Sequence, residues 1–208
     1  PEILVGNMND ITEKYRITEC IEQSETSEVH LALIEGIGNF RRNIIVKRYK
    51  NLSDESTFIL TQDAKRCSIL THANIIQILD LGQWDGDWSI VMEYISGISL
   101  EKIIADLSNK ELNLPEKLVF YIILELIQAL EYAHQRLQQN SEPALLHLNL
   151  EPRNILIDQQ GAIKLKGFSS ISSIAADSIF RCPDPTPDHR TDIWGLGALL
   201  QVLLVGLN

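Results

Sequence analysis

The sequence has few cysteines, and their spacing matches neither a metal site nor a disulfide framework. Cys20, Cys67 and Cys182 are its three cysteines, and they are scattered along 208 residues with no C-x-x-C pair. Structural metal sites and small disulfide-rich secreted domains both depend on closely spaced cysteines. We therefore expect no metal site and no disulfide bond, and we expect the chain to reside in a reducing compartment, the cytoplasm.

Basic residues are also scarce, because 18 lysines and arginines stand against 28 aspartates and glutamates, giving a formal net charge of -10. Proteins that bind nucleic acid through its phosphates need a basic surface, which this balance disfavours. The apolar run from Ile193 to Leu207 is short for a helix that crosses a bilayer. The sequence therefore predicts no nucleic-acid partner and no membrane partner.

Strand-like patterns fill the first part of the chain. Alternating or β-branched residues predict strands in YRITECI, VHLALI, NIIVKRY, NIIQILDLG and DWSIVMEYI. Asp85-Gly86 predicts a tight hairpin between the last two of these strands. Between the third and fourth strands, a segment with Ser53 as its cap predicts one helix. Its apolar positions, which fall roughly on one helical face, are Phe58, Ile59, Ala64, Cys67 and Leu70.

Helical patterns dominate after Gly97. SLEKIIADL, the stretch from Pro115 to Leu137 and the apolar segment from Arg190 onward all predict helices, and Pro115 suits a first helical position. The order of elements predicts an α+β chain with a flank at 1–14, a β-rich part at 15–93 and a mainly helical part at 94–208.

Several short motifs occur in a fixed order on these elements. They are IIVK ending at Lys47, then HANII, IVMEY, HLNLEPRNIL, IKLKGFS, CPD and TDIWGLG. With these motifs in this order, the chain resembles the eukaryotic-type Ser/Thr protein kinases from about Tyr15 to Gly206. The resemblance implies a two-lobed kinase-like fold. Its smaller lobe has a five-stranded antiparallel sheet with one helix, and its mainly helical second lobe is truncated and ends at the central helix.

The catalytic residues that the resemblance implies are largely replaced. HLNLEPRNIL is similar to the catalytic loop H-R-D-L-K-P-x-N, so the carboxylate position is Asn149 and the loop lysine is Glu151. The metal-binding aspartate position is Gly167, which has no side chain. Asn154, the family's second metal ligand, is retained, but one neutral amide is a poor Mg²⁺ site. An amide does not accept a proton at neutral pH as a carboxylate does.

The nucleotide-binding positions implied by the resemblance are altered as well. The family's Gly-rich loop aligns with Glu22, Ser24, Ser27 and Val29, so none of its glycines is present. Glycines let the backbone approach phosphates closely, whereas Glu22, Glu25 and Glu28 would repel them. Ile45 replaces the usual alanine against the adenine ring. This implies that a conventional ATP site is absent.

Other family positions are retained and imply architecture. Lys47 aligns with the phosphate-pairing lysine and Asp63 with the glutamate of the regulatory helix, so the two residues are expected to form an ion pair. With Asn154 they are the remnant of a nucleotide site, and we expect their role to be structural. A stack of side chains that joins the two lobes of kinases is traced by Cys67, Ile78, His147 and Phe168, anchored by Asp192.

These replacements favour a catalytically inactive protein kinase-like domain that acts as an interaction, scaffolding or regulatory module in signalling and needs no cofactor. The alternative is an atypical nucleotide-dependent transferase, or an ATP-binding switch, that uses the residual site of Lys47, Asp63 and Asn154. Labelled phosphate incorporation that is lost on Lys47→Ala would favour the transferase.

The last predicted helix raises the question of a partner. In the complete kinase fold, further helices cover the helix that corresponds to residues 190–207, which is strongly apolar in this sequence. An uncovered helix of this kind would expose a large apolar patch. We therefore expect a protein partner or a second copy of the chain to cover it.

Overall fold

Alternating and β-branched residues in the first part of the chain form an antiparallel sheet of five strands. The computed structural model describes residues 10–138, 144–168, 178–184 and 186–205. The strands are β1 (Arg16–Gln23), β2 (Ser27–Glu35), β3 (Arg41–Tyr49), β4 (Ile78–Trp84) and β5 (Asp87–Glu93). Their order in the sheet is β1-β2-β3-β5-β4, and every neighbouring pair is antiparallel. This confirms the predicted sheet.

One helix, α1 (Asp54–Ser68), follows β3. Ser53 caps it, because the Ser53 hydroxyl accepts a hydrogen bond of 3.1 Å from the backbone N–H of Ser56. Leu60, Asp63, Ala64 and Cys67 are buried on its inner face. Phe58, which we placed on the apolar face, is 64% exposed, so this part of the prediction is wrong.

The core of the sheet includes a residue from the predicted flank. Ile11 is buried and belongs to the same cluster as Ala32, Ile44, Val46 and Val91. A short 3₁₀ helix (Ile11–Glu13) places it there. The described part of the segment 1–14 therefore packs on the sheet.

The remaining elements form a second, mainly helical unit. They are β6 (Gly97–Ser99), α2 (Leu100–Ser108), α3 (Glu116–Gln138), β7 (Ile155–Asp158), β8 (Ile163–Leu165) and α4 (His189–Val205). The strands form a small antiparallel sheet in the order β6-β7-β8. These elements complete the predicted α+β class.

The chain divides into two compact units. The described residues up to position 68 pack with residues 77–94 as the first unit, and residues 69–76 pack with the described residues from 95 onward as the second. Among the described residues, no helix has both the length and the hydropathy that a membrane crossing requires.

The outer face of α4 is apolar, as the sequence predicts. Ile193, Trp194, Leu204 and Val205 are 58%, 47%, 42% and 65% exposed. The Trp194 indole donates a hydrogen bond of 3.1 Å to the backbone carbonyl of Ile179. That a partner or a second copy covers this helix stays a prediction.

Candidate active site

The loop from His147 to Asn154 lies in the second unit and leads directly into β7. Leu150 is buried against α4, where Gly195 leaves room for it, since a Cβ at Gly195 would lie 2.9 Å from the Leu150 Cβ. Leu148 adopts the left-handed backbone conformation, with φ of 61°. This conformation costs a residue with a side chain roughly 1 kcal/mol, so other contacts must hold the loop.

Asp192, near the start of α4, supplies those contacts. Its carboxylate accepts hydrogen bonds of 2.8 Å from the backbone N–H groups of both His147 and Leu148. His134 of α3 lies 2.8 Å from the same carboxylate. Burial opposes the ionisation of Asp192, but the hydrogen bonds outweigh burial and hold its pKa below the usual value. Two helices therefore fix the start of the loop through one buried charge.

His147 is a buried, neutral structural residue. Its Nδ1 accepts a hydrogen bond of 3.2 Å from the backbone N–H of Asn149, and its Nε2 lies 3.0 Å from the backbone carbonyl of Lys166. This pattern assigns the proton to Nε2. Burial lowers the pKa of His147. Its ring meets Phe168 edge-on at 4.5 Å between centroids, so it joins the loop to the segment after β8.

Asn149 occupies the position that the family fills with a carboxylate. The residue is 8% exposed, and its backbone carbonyl accepts hydrogen bonds from the backbone N–H of Glu151 at 3.0 Å and from the side-chain amide of Asn154 at 2.9 Å. The side-chain oxygen of Asn149, in contrast, is buried and has no hydrogen-bond partner among the residues that the structure describes. A buried acceptor without a donor costs free energy.

Asn154 and Gly167 are in contact. Gly167 has φ of 93°, and a Cβ there would lie 3.2 Å from the Asn154 side chain. The backbone N–H of Lys166 also donates to the Asn154 carbonyl at 2.9 Å. Asn154 therefore ties the loop to the segment after β8, while its part in a remnant nucleotide site stays a prediction.

Glu151 does not present a bare negative charge. Its carboxylate forms an ion pair with Arg153, two residues along the loop, and the Glu151 side chain is only 13% exposed. The sequence identified the charge reversal at Glu151 but missed this partner. The basic residue at i+2 was the available signal.

Lys47 and Asp63 lie in the first unit, apart from the loop in the chain. The Lys47 ammonium lies 4.8 Å from the centroid of the Tyr49 ring, and Asp63 is 5% exposed on α1. Burial raises the pKa of Tyr49, and the charges of Cys67 and Asp63 raise it further. Burial, aided by Asp63, raises the pKa of Cys67 to about 12. Lys47 and Asp63 thus both act on Tyr49, a residue that the sequence did not identify. The ion pair between Lys47 and Asp63 stays a prediction.

The turn between β1 and β2 is held by polar contacts. The backbone N–H of Ser24 donates to the Ser27 carbonyl at 2.8 Å. Glu28 lies 3.3 Å from both the Lys50 ammonium and the His30 ring, so its negative charge is partly balanced. The phosphate repulsion expected from this glutamate is therefore weaker than its charge alone indicates.

The donor set near Asn149 does not fit the metal arrangement that the family implies. Gly167 supplies no ligand atom, so the amide oxygen of Asn154 is the one side-chain ligand that the two metal-binding positions of the family retain here. Within the described residues, no three or more His, Cys, Asp or Glu side chains are grouped so as to hold a metal ion. Mg²⁺ prefers several oxygen ligands, including at least one carboxylate.

The family model and the known sequences that this chain resembles are named as a protein kinase domain or as protein kinases. The family model for the protein kinase domain matches residues 15–208. Serine/threonine-protein kinase PrkC of Bacillus subtilis is 29% identical over 222 residues, which cover 98% of this chain and 32% of the relative. Tyrosine-protein kinase MasK of Myxococcus xanthus is 24% identical over 209 residues, covering 91% of this chain and 32% of the relative. The chain therefore spans about a third of the length of these curated relatives.

Solved structures agree with the predicted fold. The crystal structure of the Mycobacterium tuberculosis PknI kinase domain matches with a TM-score of 0.75 and 25% identity, covering 93% of this chain and 75% of that one. Together with the five-stranded sheet, this confirms the kinase-like fold.

The expectation that the chain is not an enzyme is wrong. The matching relatives are named as protein kinases, and the solved neighbours are kinase domains. The replacements at Asn149, Gly167 and the glycine positions of the β1–β2 turn do not by themselves remove the reaction. Phosphoryl transfer depends mainly on positioning and on charge, which other residues can supply. That the domain also acts as a scaffolding or regulatory module stays a prediction.

Proposed function

Because the chain belongs to the family of proteins with a protein kinase domain, we propose that it transfers a phosphoryl group from a nucleotide to a hydroxyl group of a protein. One observation carries this proposal: the protein kinase family model matches residues 15–208, and Asn149 stands at the position that the family fills with a carboxylate, in a loop that Asp192 holds in place. An amide oxygen accepts hydrogen bonds from hydroxyl groups. Asn149 is thus suited to orienting an acceptor hydroxyl.

Orientation without proton removal is sufficient for a slow transfer. The transition state of phosphoryl transfer is loose, and the protein acts mainly by positioning the reactants and stabilising charge. The acceptor oxygen forms a bond to the terminal phosphorus while the bond from phosphorus to the leaving diphosphate oxygen breaks. The hydroxyl proton passes to an oxygen of the transferred phosphoryl group. Asn149 orients the attacking hydroxyl group and does not accept its proton.

Lys47 is the cation that the proposal assigns to the donor phosphates. Lys47 lies on β3 beside the Tyr49 ring, which limits the positions open to its ammonium group. An ammonium at this position in the family pairs with the donor phosphates. Arg153 pairs with Glu151 and so reduces the negative charge of the loop. No metal-dependent step is assigned to Gly167 or Asn154.

The test is the transfer of labelled phosphate from the terminal position of ATP to the chain itself and to a mixture of protein substrates. We expect slow incorporation by the wild type and a loss of at least tenfold in Lys47→Met. Lys50→Met is the matched control, because Lys50 pairs with Glu28 instead, and it should retain the wild-type rate. Equal rates in the two variants, or no incorporation by the wild type with Mg²⁺, with Mn²⁺ or with chelator, would overturn the proposal.

The type of residue that accepts the phosphoryl group can be identified from the same labelled protein. One matching relative is named as a serine/threonine kinase and another as a tyrosine kinase, so the names alone do not choose between them. Acid hydrolysis of the labelled protein and separation of the phosphoamino acids gives the answer.

A further inference from the structure

The outward face of α3 carries apolar side chains over more than two turns. Phe120, Leu124 and Ile127 are 51%, 57% and 42% exposed, and Tyr121 beside them is 40% exposed. The opposite face is fully occupied, because its residues are buried in the core of the second unit. These buried residues are Val119, Ile122, Leu126, Ala129 and Ala133. A contiguous exposed apolar patch on an ordered helix marks an interaction surface.

The spacing of the exposed residues is that of a helix-pairing seam. Lys117, Phe120, Leu124, Ile127 and Glu131 follow one another at intervals of three, four, three and four. This alternation keeps side chains on one line along a helix and is the repeat by which two helices pack together. Lys117 and Glu131 are exposed, as the apolar members are. We call these five residues the α3 seam.

The two charged residues of the α3 seam can pair with each other when the seams of two copies meet. Leu124 lies at its centre, with Lys117 seven residues before it and Glu131 seven residues after it. When two such helices pair antiparallel about a twofold axis at Leu124, Lys117 of each copy faces Glu131 of the other. Two ion pairs then flank an apolar centre, and the contact is the same in both directions, as twofold symmetry requires.

One further contact fixes the surface beside the seam. The Tyr121 hydroxyl donates a hydrogen bond of 3.3 Å to the backbone carbonyl of Gly161, in the turn between β7 and β8. Under the same twofold axis, Tyr121 faces Ile127 of the other copy. A ring that is already held in place loses little conformational freedom on binding.

We propose that the α3 seam binds a second copy of this chain in an antiparallel helix pair centred on Leu124. The net charge of -10 opposes unspecific self-association, so the ion pairs at the two ends select this one arrangement. One helix pair is a small interface, which gives a weak dimer with a dissociation constant on the order of 10 µM.

Sedimentation equilibrium of the 208-residue chain over 1 to 200 µM measures the dimer directly. It is run at low salt and at a roughly tenfold higher salt concentration, which screens the ion pairs more strongly. We expect Lys117→Glu and Glu131→Lys to weaken dimerisation at least tenfold each, because each places like charges opposite one another. An equimolar mixture of these two variants should form a heterodimer of wild-type strength. The double swap in one chain should restore the homodimer.

Matched controls separate the seam from the total charge. Lys102→Glu and Asp106→Lys make the same charge changes at exposed positions of α2, and both should dimerise like the wild type. Leu124→Lys tests the axis without touching the ion pairs and should abolish the dimer, with an unchanged circular dichroism spectrum.

Three results would overturn the proposal. They are a wild type that stays monomeric at 200 µM, a dimer that ignores the charge variants, and a mixture of the two charge variants that stays monomeric. Binding of a different protein to the α3 seam by a monomeric chain would equally show that the occupant is not a second copy.

Discussion

The side-chain amide of Asn154 donates a hydrogen bond of 2.9 Å to the backbone carbonyl of Asn149, five residues earlier in the same loop. The bond closes the loop behind Asn149, whose side-chain oxygen has no partner among the described residues. Asn154 is 8% exposed, so water competes little for its amide. The loop is thus held through the backbone carbonyl of Asn149, and the side chain of Asn149 takes no part in this bond.

Replacing Asn154 tests this closure. Asn154→Ala removes the bond and leaves a small cavity, so we expect a loss of about 1 to 2 kcal/mol in the free energy of unfolding. Chemical denaturation measures it, with the exposed Asn113→Ala as the matched control, which should change stability by less than about 0.5 kcal/mol. Equal effects of the two variants would show that the amide bond contributes nothing.

Gly167 is the second point at which the loop is constrained. Gly167→Ala places a side chain at φ of 93° and brings its Cβ to 3.2 Å from Asn154. Gly161→Ala has a similar φ of 85°, but nothing lies within 4 Å of its Cβ. Both should lose about 1 to 2 kcal/mol from backbone strain, and Gly167→Ala should lose roughly 1 kcal/mol more from crowding.

Thermal and chemical unfolding of the two glycine variants give the comparison. An equal loss of stability in both would mean that Asn154 moves aside freely, and that the loop is not braced against the segment after β8.

The buried His147 predicts a dependence of stability on pH. Burial lowers its pKa, so the unfolded chain binds a proton near pH 6.5 whereas the folded chain binds it only at lower pH. Unfolding therefore takes up a proton in this window, and the free energy of unfolding falls as the pH drops below 6.5. Between pH 7.5 and pH 5.5, His147 alone should account for a loss of up to about 1.4 kcal/mol.

Chemical denaturation at pH 7.5 and pH 5.5 measures this loss. His147→Gln should be less stable at pH 7.5 but should show a smaller loss between the two pH values. His72→Gln is the control, because burial lowers the pKa of His72 too, but His72 is only partly buried. A pH dependence in His147→Gln as steep as in the wild type would rule out this assignment.

Local sequence patterns were sufficient for the large elements and insufficient for the small ones. Alternation and the Asp85-Gly86 turn predicted the five-stranded sheet, because both act between residues close in the chain. The strand β6 (Gly97–Ser99) has three residues and forms only by pairing with β7, which follows more than fifty residues later. Phe58 shows the opposite failure: its helical spacing was right, but tertiary packing leaves it 64% exposed.

The candidate site was predictable in its residues and not in its contacts. The motif resemblance identified His147, Asn149, Asn154 and Asp192, because their order in the chain is characteristic. It did not indicate that His134 of α3 would contact Asp192, or that the side-chain oxygen of Asn149 would have no partner within the described part of the chain. These depend on how helices and loops from distant parts of the sequence pack, and no local pattern encodes them.

The rate of phosphoryl transfer by Asn149 variants tests the role of this residue most directly. Single-turnover transfer from labelled ATP should fall by about a hundredfold in Asn149→Ala, because the acceptor hydroxyl loses its positioning group. Asn149→Asp, which keeps the acceptor oxygen and adds a base, should transfer at the wild-type rate or faster. Equal rates in the wild type and Asn149→Ala, with both folded, would contradict the assignment of Asn149 to the acceptor hydroxyl.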